Sequence, residues 1–245
     1  KQLSNHLHNL IYDRYGNGPA FTQEFHRLLA CCVNVLRDRS ENVFASTEPS
    51  VVTLATTEDI ISRLVYVATN PIKHDLVARV DDWPGASGYR ALIEDKPLHA
   101  TRPKCFFSAE GVMPEEVTLS VGIPPELRDR EEILSEVKRR VEEFEREKAA
   151  ERARTGKRVL GRAGVLRQHW STIPSTSQPR RVQRRIASVC RLTLAKLLDR
   201  WRDFLVAHRE ARLALLEGNP IPFPFGTYWL RRYVGMPVQA PKVSS

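Results

Sequence analysis

The chain has 245 residues, of which 42% are hydrophobic and 27% charged, with a net charge of +9. That balance suits a folded, soluble protein of one large or two small domains and excludes a chain that is disordered throughout. No apolar run approaches the roughly 18 residues that a helix needs to cross a bilayer. No segment reads as a signal peptide. The four cysteines (Cys31, Cys32, Cys105, Cys190) have no C-x-x-C spacing, so reduced thiols in a cytoplasmic protein are expected. The charge is uneven: residues 1–100 carry a balance of −2 and residues 101–245 one of +11. A basic excess confined to the second part points to nucleic acid or another polyanion, or to solvated basic helices.

In chain order, residues 3–12 (LSNHLHNLIY) alternate as a strand does, which puts His6 and His8 on one face. Two imidazoles spaced this way can share one divalent metal if further ligands come from elsewhere. Two ordinary edge-strand histidines would look the same, and no cysteine pair or third histidine completes a zinc site. A turn at Tyr15–Pro19 precedes a helix over Phe21–Arg39, with Phe25, Leu28, Leu29, Cys32 and Leu36 facing inward. His26 reads as a surface histidine. The β-branched run Ser50–Leu54 reads as a strand.

Thr56–Val77 reads as an amphipathic helix. Thr56-x-x-Asp59 resembles a capping box, and Ile60, Ile61, Leu64, Val65 and Ala68 form one apolar stripe. Tyr66 lies opposite the stripe, with Asn70 one turn later on the same face. Pro71 disfavours helical geometry at Asn70, so a stop or kink is expected there. By themselves Tyr66 and Asn70 look like a surface phenol and a helix-terminal amide. The order strand, helix, strand, helix predicts an α/β or α+β sandwich.

Trp83-Pro84-Gly85 is a loop anchor, and Trp83 reads as a packing residue. Residues 94–127 are interrupted by five prolines and mark a boundary. The division expected is 1–95, a linker at 96–127, and a helical basic extension at 128–245. Within that extension Glu131–Arg154 is a long charged helix with a thin apolar seam of Ile133, Leu134, Val137, Val141 and Phe144. Basic residues follow, among them Arg158, Arg162 and Arg167. Residues 171–179 read as a loop. Arg180, Arg181, Arg184 and Arg185 open a helix that runs to about Leu216. These arginines are either a DNA phosphate-binding face or a solvated one. Residues 220–225 are extended, and Tyr228–Tyr233 is a short closing helix.

Taken together, Asn5-His6-Leu7-His8, then Tyr66-x-x-x-Asn70-Pro71, Leu76-Val77, and Trp83-Pro84 resemble the HUH transposases with a single catalytic tyrosine. The nearest group is that of the REP-associated tyrosine transposases and related insertion-sequence proteins. The tail FPFGTYWLRRY looks like the end of longer members. The resemblance implies an α+β fold: a ferredoxin-like antiparallel sheet with helices on one side, followed by the basic helical extension. Members carry a strand, a helix and a strand before the histidine pair, and this chain begins five residues before it. An N-terminally truncated copy, with an incomplete sheet, is therefore implied. His6 and His8 match the pair that binds Mg²⁺ or Mn²⁺, Asn70 the position of a third ligand, and Tyr66 the nucleophile. Single-stranded or hairpin DNA is the implied substrate, nicked and rejoined through a 5′-phosphotyrosine during transposition of a mobile element. Relatives include dimers, so a second copy of the chain is a further implied partner. Two rival expectations stand beside this one: a catalytically inactive DNA-binding relic, and a metal-dependent nuclease that releases both ends.

Overall fold

A computed structural model describes residues 1, 6–44, 49–169, 172, 185–227 and 229–240. In chain order these form α1 (Gly18–Arg37), β1 (Thr53–Leu54), α2 (Thr57–Lys73), a 3₁₀ turn (Val80–Asp82), α3 (Tyr89–Ile93), β2 (Leu98–Thr101) and β3 (Glu116–Leu119). There follow α4 (Arg130–Thr155), α5 (Gly161–Arg167), β4 (Ile186–Ala187), α6 (Arg191–Leu216) and a π-helical turn (Leu230–Val234). The fold is mixed α and β, and the named strands form two separate two-stranded pairs, β1 with β4 and β2 with β3. No described helix is long and apolar enough to cross a membrane. The four cysteines are free thiols.

The chain divides into two units, each discontinuous in sequence. The first comprises Lys1–Leu10, Leu54–Arg102 and Val112–Arg184. Its core is α2 packed on α4. The expected capping box starts α2: the Thr56 hydroxyl accepts the Asp59 N–H at 3.1 Å, and the Asp59 carboxylate accepts the Thr56 N–H at 3.0 Å. Two donors orphaned at the helix start are thereby satisfied. Ile61, Ala68 and Ile72 are buried on the inner face.

Pro71 does not stop this helix. α2 runs on to Lys73 with the proline inside it. The missing N–H deprives the Val67 carbonyl of its intrahelical donor. That loss falls in the last turn, where Pro71 and Ile72 are buried and other bonds close the end. His74 N–H donates to the Asn70 carbonyl at 3.3 Å and Leu76 N–H to that of Pro71 at 2.9 Å.

The seam of α4 buries Ile133, Val137 and Val141, spaced four residues apart, against Ile61, Ile72, Val77, Val80 and Trp83. Phe144 packs at the edge of this core. Arg140 holds the Glu58 carboxylate at the start of α2 through contacts of 2.5 and 2.9 Å. Glu145 accepts the Val80 N–H at 2.7 Å. The proline-rich residues 96–127 thus separate α2 from α4 along the chain, while in space the two helices share one core. Within those residues β2 and β3 pair antiparallel, Leu98 opposite Leu119 and Thr101 opposite Glu116.

The second unit comprises Ile11–Thr53, Pro103–Gly111 and Arg185–Ser245, and contains α1 and α6. Thr53 N–H donates to the Arg185 carbonyl at 2.9 Å where β1 meets β4. The predicted strand over 50–54 contracts to its last two residues. Phe223 is buried in this unit, edge-on to His208 at 5.3 Å. Its N–H donates to the Pro237 carbonyl at 2.9 Å, and its carbonyl accepts the Gln239 N–H at 2.8 Å. His26, expected at the surface, is half-buried and stacks on Phe44 with ring centroids 4.4 Å apart.

Candidate functional site

The first unit brings three of the predicted side chains together. Tyr66 sits half-buried on α2. The His8 ring meets it edge-on, with centroids 5.5 Å apart and planes at 75°. The His6 ring lies 4.8 Å from that of His8, at 82°. Where alternation predicts a strand over 3–12, the described part, residues 6–12, holds a single bridge at Leu7. What fixes the segment is Lys1. His8 N–H donates to the Lys1 carbonyl at 2.9 Å, the Lys1 nitrogen donates to the His8 carbonyl at 2.6 Å, and Lys1 Nζ donates to the Ala68 carbonyl at 2.8 Å. The histidine segment is therefore clamped to the same helix that carries Tyr66.

Two cations flank the phenol ring. Arg63 Cζ lies 5.3 Å and Lys73 Nζ 5.5 Å from its centroid. At helical spacing, residues three before and seven after Tyr66 fall on its own face. The sequence therefore contained this signal, although the motif pointed only to Tyr66 and Asn70. A cation over a ring face is attracted to the π cloud and would also attract a phosphate arriving at the hydroxyl.

Asn70, one turn beyond Tyr66, is only 1% exposed, and its Oδ1 has no hydrogen-bond partner among the described residues. The Nε2 of His8 is in the same position. Leaving a buried polar atom unsatisfied costs about 1–3 kcal/mol, so at each of the two a further partner would be favourable.

Desolvation, followed by the charges of His6 and Arg63, pushes the His8 pKa down to about 4. His6 is lowered too, by desolvation first and then by the charge of His74. Both imidazoles are therefore neutral at physiological pH, the form that donates a lone pair to a metal. Among the described residues no group of three His, Cys, Asp or Glu could hold an ion. A metal site here would consist of His6, His8 and the Asn70 amide oxygen. The orphaned His8 and Asn70 atoms fit that role.

The basic residues distribute differently. Arg158, Arg162 and Arg167 are exposed around the junction of α4 and α5. That junction is tied to the end of α2: Leu160 N–H donates to the Asp75 carbonyl and Gly161 N–H to that of Leu76, both at 2.9 Å, and Lys157 pairs with the Asp75 carboxylate at 2.6 Å. Arg185, in the second unit, has its Cζ 5.7 Å from the Trp201 ring centroid. Arg180, Arg181 and Arg184 lie outside the described residues. No family model, curated protein or solved structure matches the chain.

Proposed function

We propose that the chain is a transposase-like protein of the HUH single-tyrosine kind, which nicks and rejoins single-stranded DNA. The observation that carries this reading is the meeting of the His8 and Tyr66 rings, from residues nearly sixty positions apart, with the buried Nε2 of His8 lacking a hydrogen-bond partner among the described residues. A satisfied structural histidine would not leave Nε2 orphaned against a tyrosine flanked by cations.

In this mechanism the Tyr66 hydroxyl oxygen attacks the scissile phosphorus. The P–O3′ bond breaks, leaving a 5′-phosphotyrosine and a 3′-hydroxyl. The phenol proton departs to solvent and the leaving 3′ oxygen takes one up. Rejoining is the reverse attack, and because the phosphodiester is conserved it needs no nucleotide cofactor. His6, His8 and Asn70 would hold Mg²⁺ or Mn²⁺, which when bound polarises a non-bridging oxygen of the phosphate. Arg63 and Lys73 favour the attack by stabilising negative charge as it develops on the oxygen. The rest is positioning, since a nucleophile already aligned with its target avoids most of the entropic barrier. This reading calls for a ferredoxin-like catalytic part with α2 laid on one side of its sheet. It also assigns Arg158, Arg162 and Arg167 to the DNA backbone.

The test is a covalent adduct. Labelled single-stranded DNA and Mn²⁺ or Mg²⁺ are expected to give a protein–DNA band that survives denaturation, and Tyr66→Phe and EDTA are each expected to abolish it. Cleavage that persists in Tyr66→Phe would identify a nuclease instead. Salt-sensitive binding without any adduct would identify a DNA-binding relic.

A further inference from the structure

The second unit holds a cavity that strand cleavage does not use. Its volume is about 300 Å³, and its lining includes Tyr15, Gln23, Trp229, Arg231, Arg232 and Tyr233. The turn before α1 and the first residues of α1 supply one part of the lining, and Trp229 with the π-helical turn the other. Asp13 braces the first part: its carboxylate accepts the Asn17 N–H at 2.7 Å and the Gly18 N–H at 2.8 Å. A Cβ on Gly18 would come within 2.8 Å of that carboxylate, so a larger residue here would push the Asp13 side chain aside. In the other part the wider π turn sets the Trp229 and Tyr233 rings 5.6 Å apart at 43°. Such turns recur at functional sites because they re-aim side chains.

Three large aromatics stand open here. Tyr15 is 71%, Trp229 58% and Tyr233 54% exposed. Guanidiniums accompany the open rings, with Arg14 Cζ 5.6 Å from the Tyr15 centroid and Arg232 Cζ 5.7 Å from that of Tyr233. No carboxylate is among the described lining residues. Flat apolar faces, fixed positive charge and side-chain amides are the chemistry that takes a planar base with its phosphate. The volume lies at the small end of ligand pockets, which suits one nucleotide and not a duplex.

We propose that this cavity binds an unpaired base of a DNA strand by stacking on Trp229, Tyr233 and Tyr15, with Arg231 and Arg232 holding its phosphates. The choice of a DNA strand rests on the function proposed above; the base-and-phosphate chemistry does not.

The test measures binding of the full chain to a short labelled oligothymidylate and to an abasic strand of equal length. Fluorescence anisotropy in EDTA keeps cleavage out of the measurement. The wild type is expected to prefer the base-bearing strand by about tenfold or more, the scale of one stacked base. Trp229→Ala, Tyr233→Ala and, from the other part of the lining, Tyr15→Ala are each expected to shrink that preference severalfold. Trp229→Phe retains most of it. Arg231→Ala with Arg232→Ala weakens both strands alike. An unchanged preference in all three alanine variants, with native circular dichroism, overturns the proposal. Wild type that forms no adduct but loses base preference in these variants keeps the cavity and removes the strand-transfer reading. An adduct with unchanged preference removes the cavity alone.

Discussion

Desolvation first, and then the charges of His6 and Arg63, hold the His8 imidazole near pKa 4. An ordinary histidine takes its proton near pH 6.5. As pH falls below that value the unfolded chain protonates at this position while the folded chain resists, so stability declines through the window from about 6.5 to about 4. Above 6.5 both states are neutral and the position contributes no slope. Thermal unfolding of metal-free protein between pH 7.5 and 4.5 should therefore show a steeper fall for wild type than for His8→Ala. Parallel curves would mean that the ring is not held neutral. The alternation of His6 with His8 and the helical spacing of Tyr66 with Asn70 were both legible as residue patterns. The orphaned atoms were not, because nothing local records which hydrogen bonds a buried atom goes without.

Among the elements, α2 was the most legible. Its capping box is a local feature and reappears as written, while of the apolar stripe Ile61 and Ala68 are buried and Leu64 and Val65 pack at the edge of the core. Pro71 is where local preference yielded: burial of the final turn against α4 outweighs the missing hydrogen bond. Ile72, fully buried in that turn, is the point to test. Ile72→Ala should cost about 3 kcal/mol, in the range for truncating a buried isoleucine, as measured by urea unfolding. A loss under about 1 kcal/mol would mean that this turn is not packed as described. The strands were less legible. Among the described residues two of the four named strands are only two residues long, and a short strand is stabilised by its partner far more than by its own sequence.

For the whole molecule, the charge asymmetry locates the basic excess beyond residue 100 but not its role. Arg158, Arg162 and Arg167 are exposed in the first unit, and each phosphate neutralised on a single strand contributes about 0.7 to the salt slope. Replacing all three with alanine should flatten the plot of log binding constant against log salt by about 2 for single-stranded DNA. An unchanged slope would leave them as solvated side chains. The helices α2 and α4, the loop-rich interval between them and the spacing of the histidines and tyrosine follow from the sequence alone, since caps, periodicity and breakers act over a few residues. Tertiary structure alone decided that α4 closes the core of α2 across that interval, that Lys1 clamps the histidine segment to the tyrosine helix, and that Tyr15 and Trp229 line one cavity. Those pairings join residues tens to hundreds of positions apart. They are chosen by what burial and hydrogen bonding satisfy once the chain has closed, which leaves no period in the sequence.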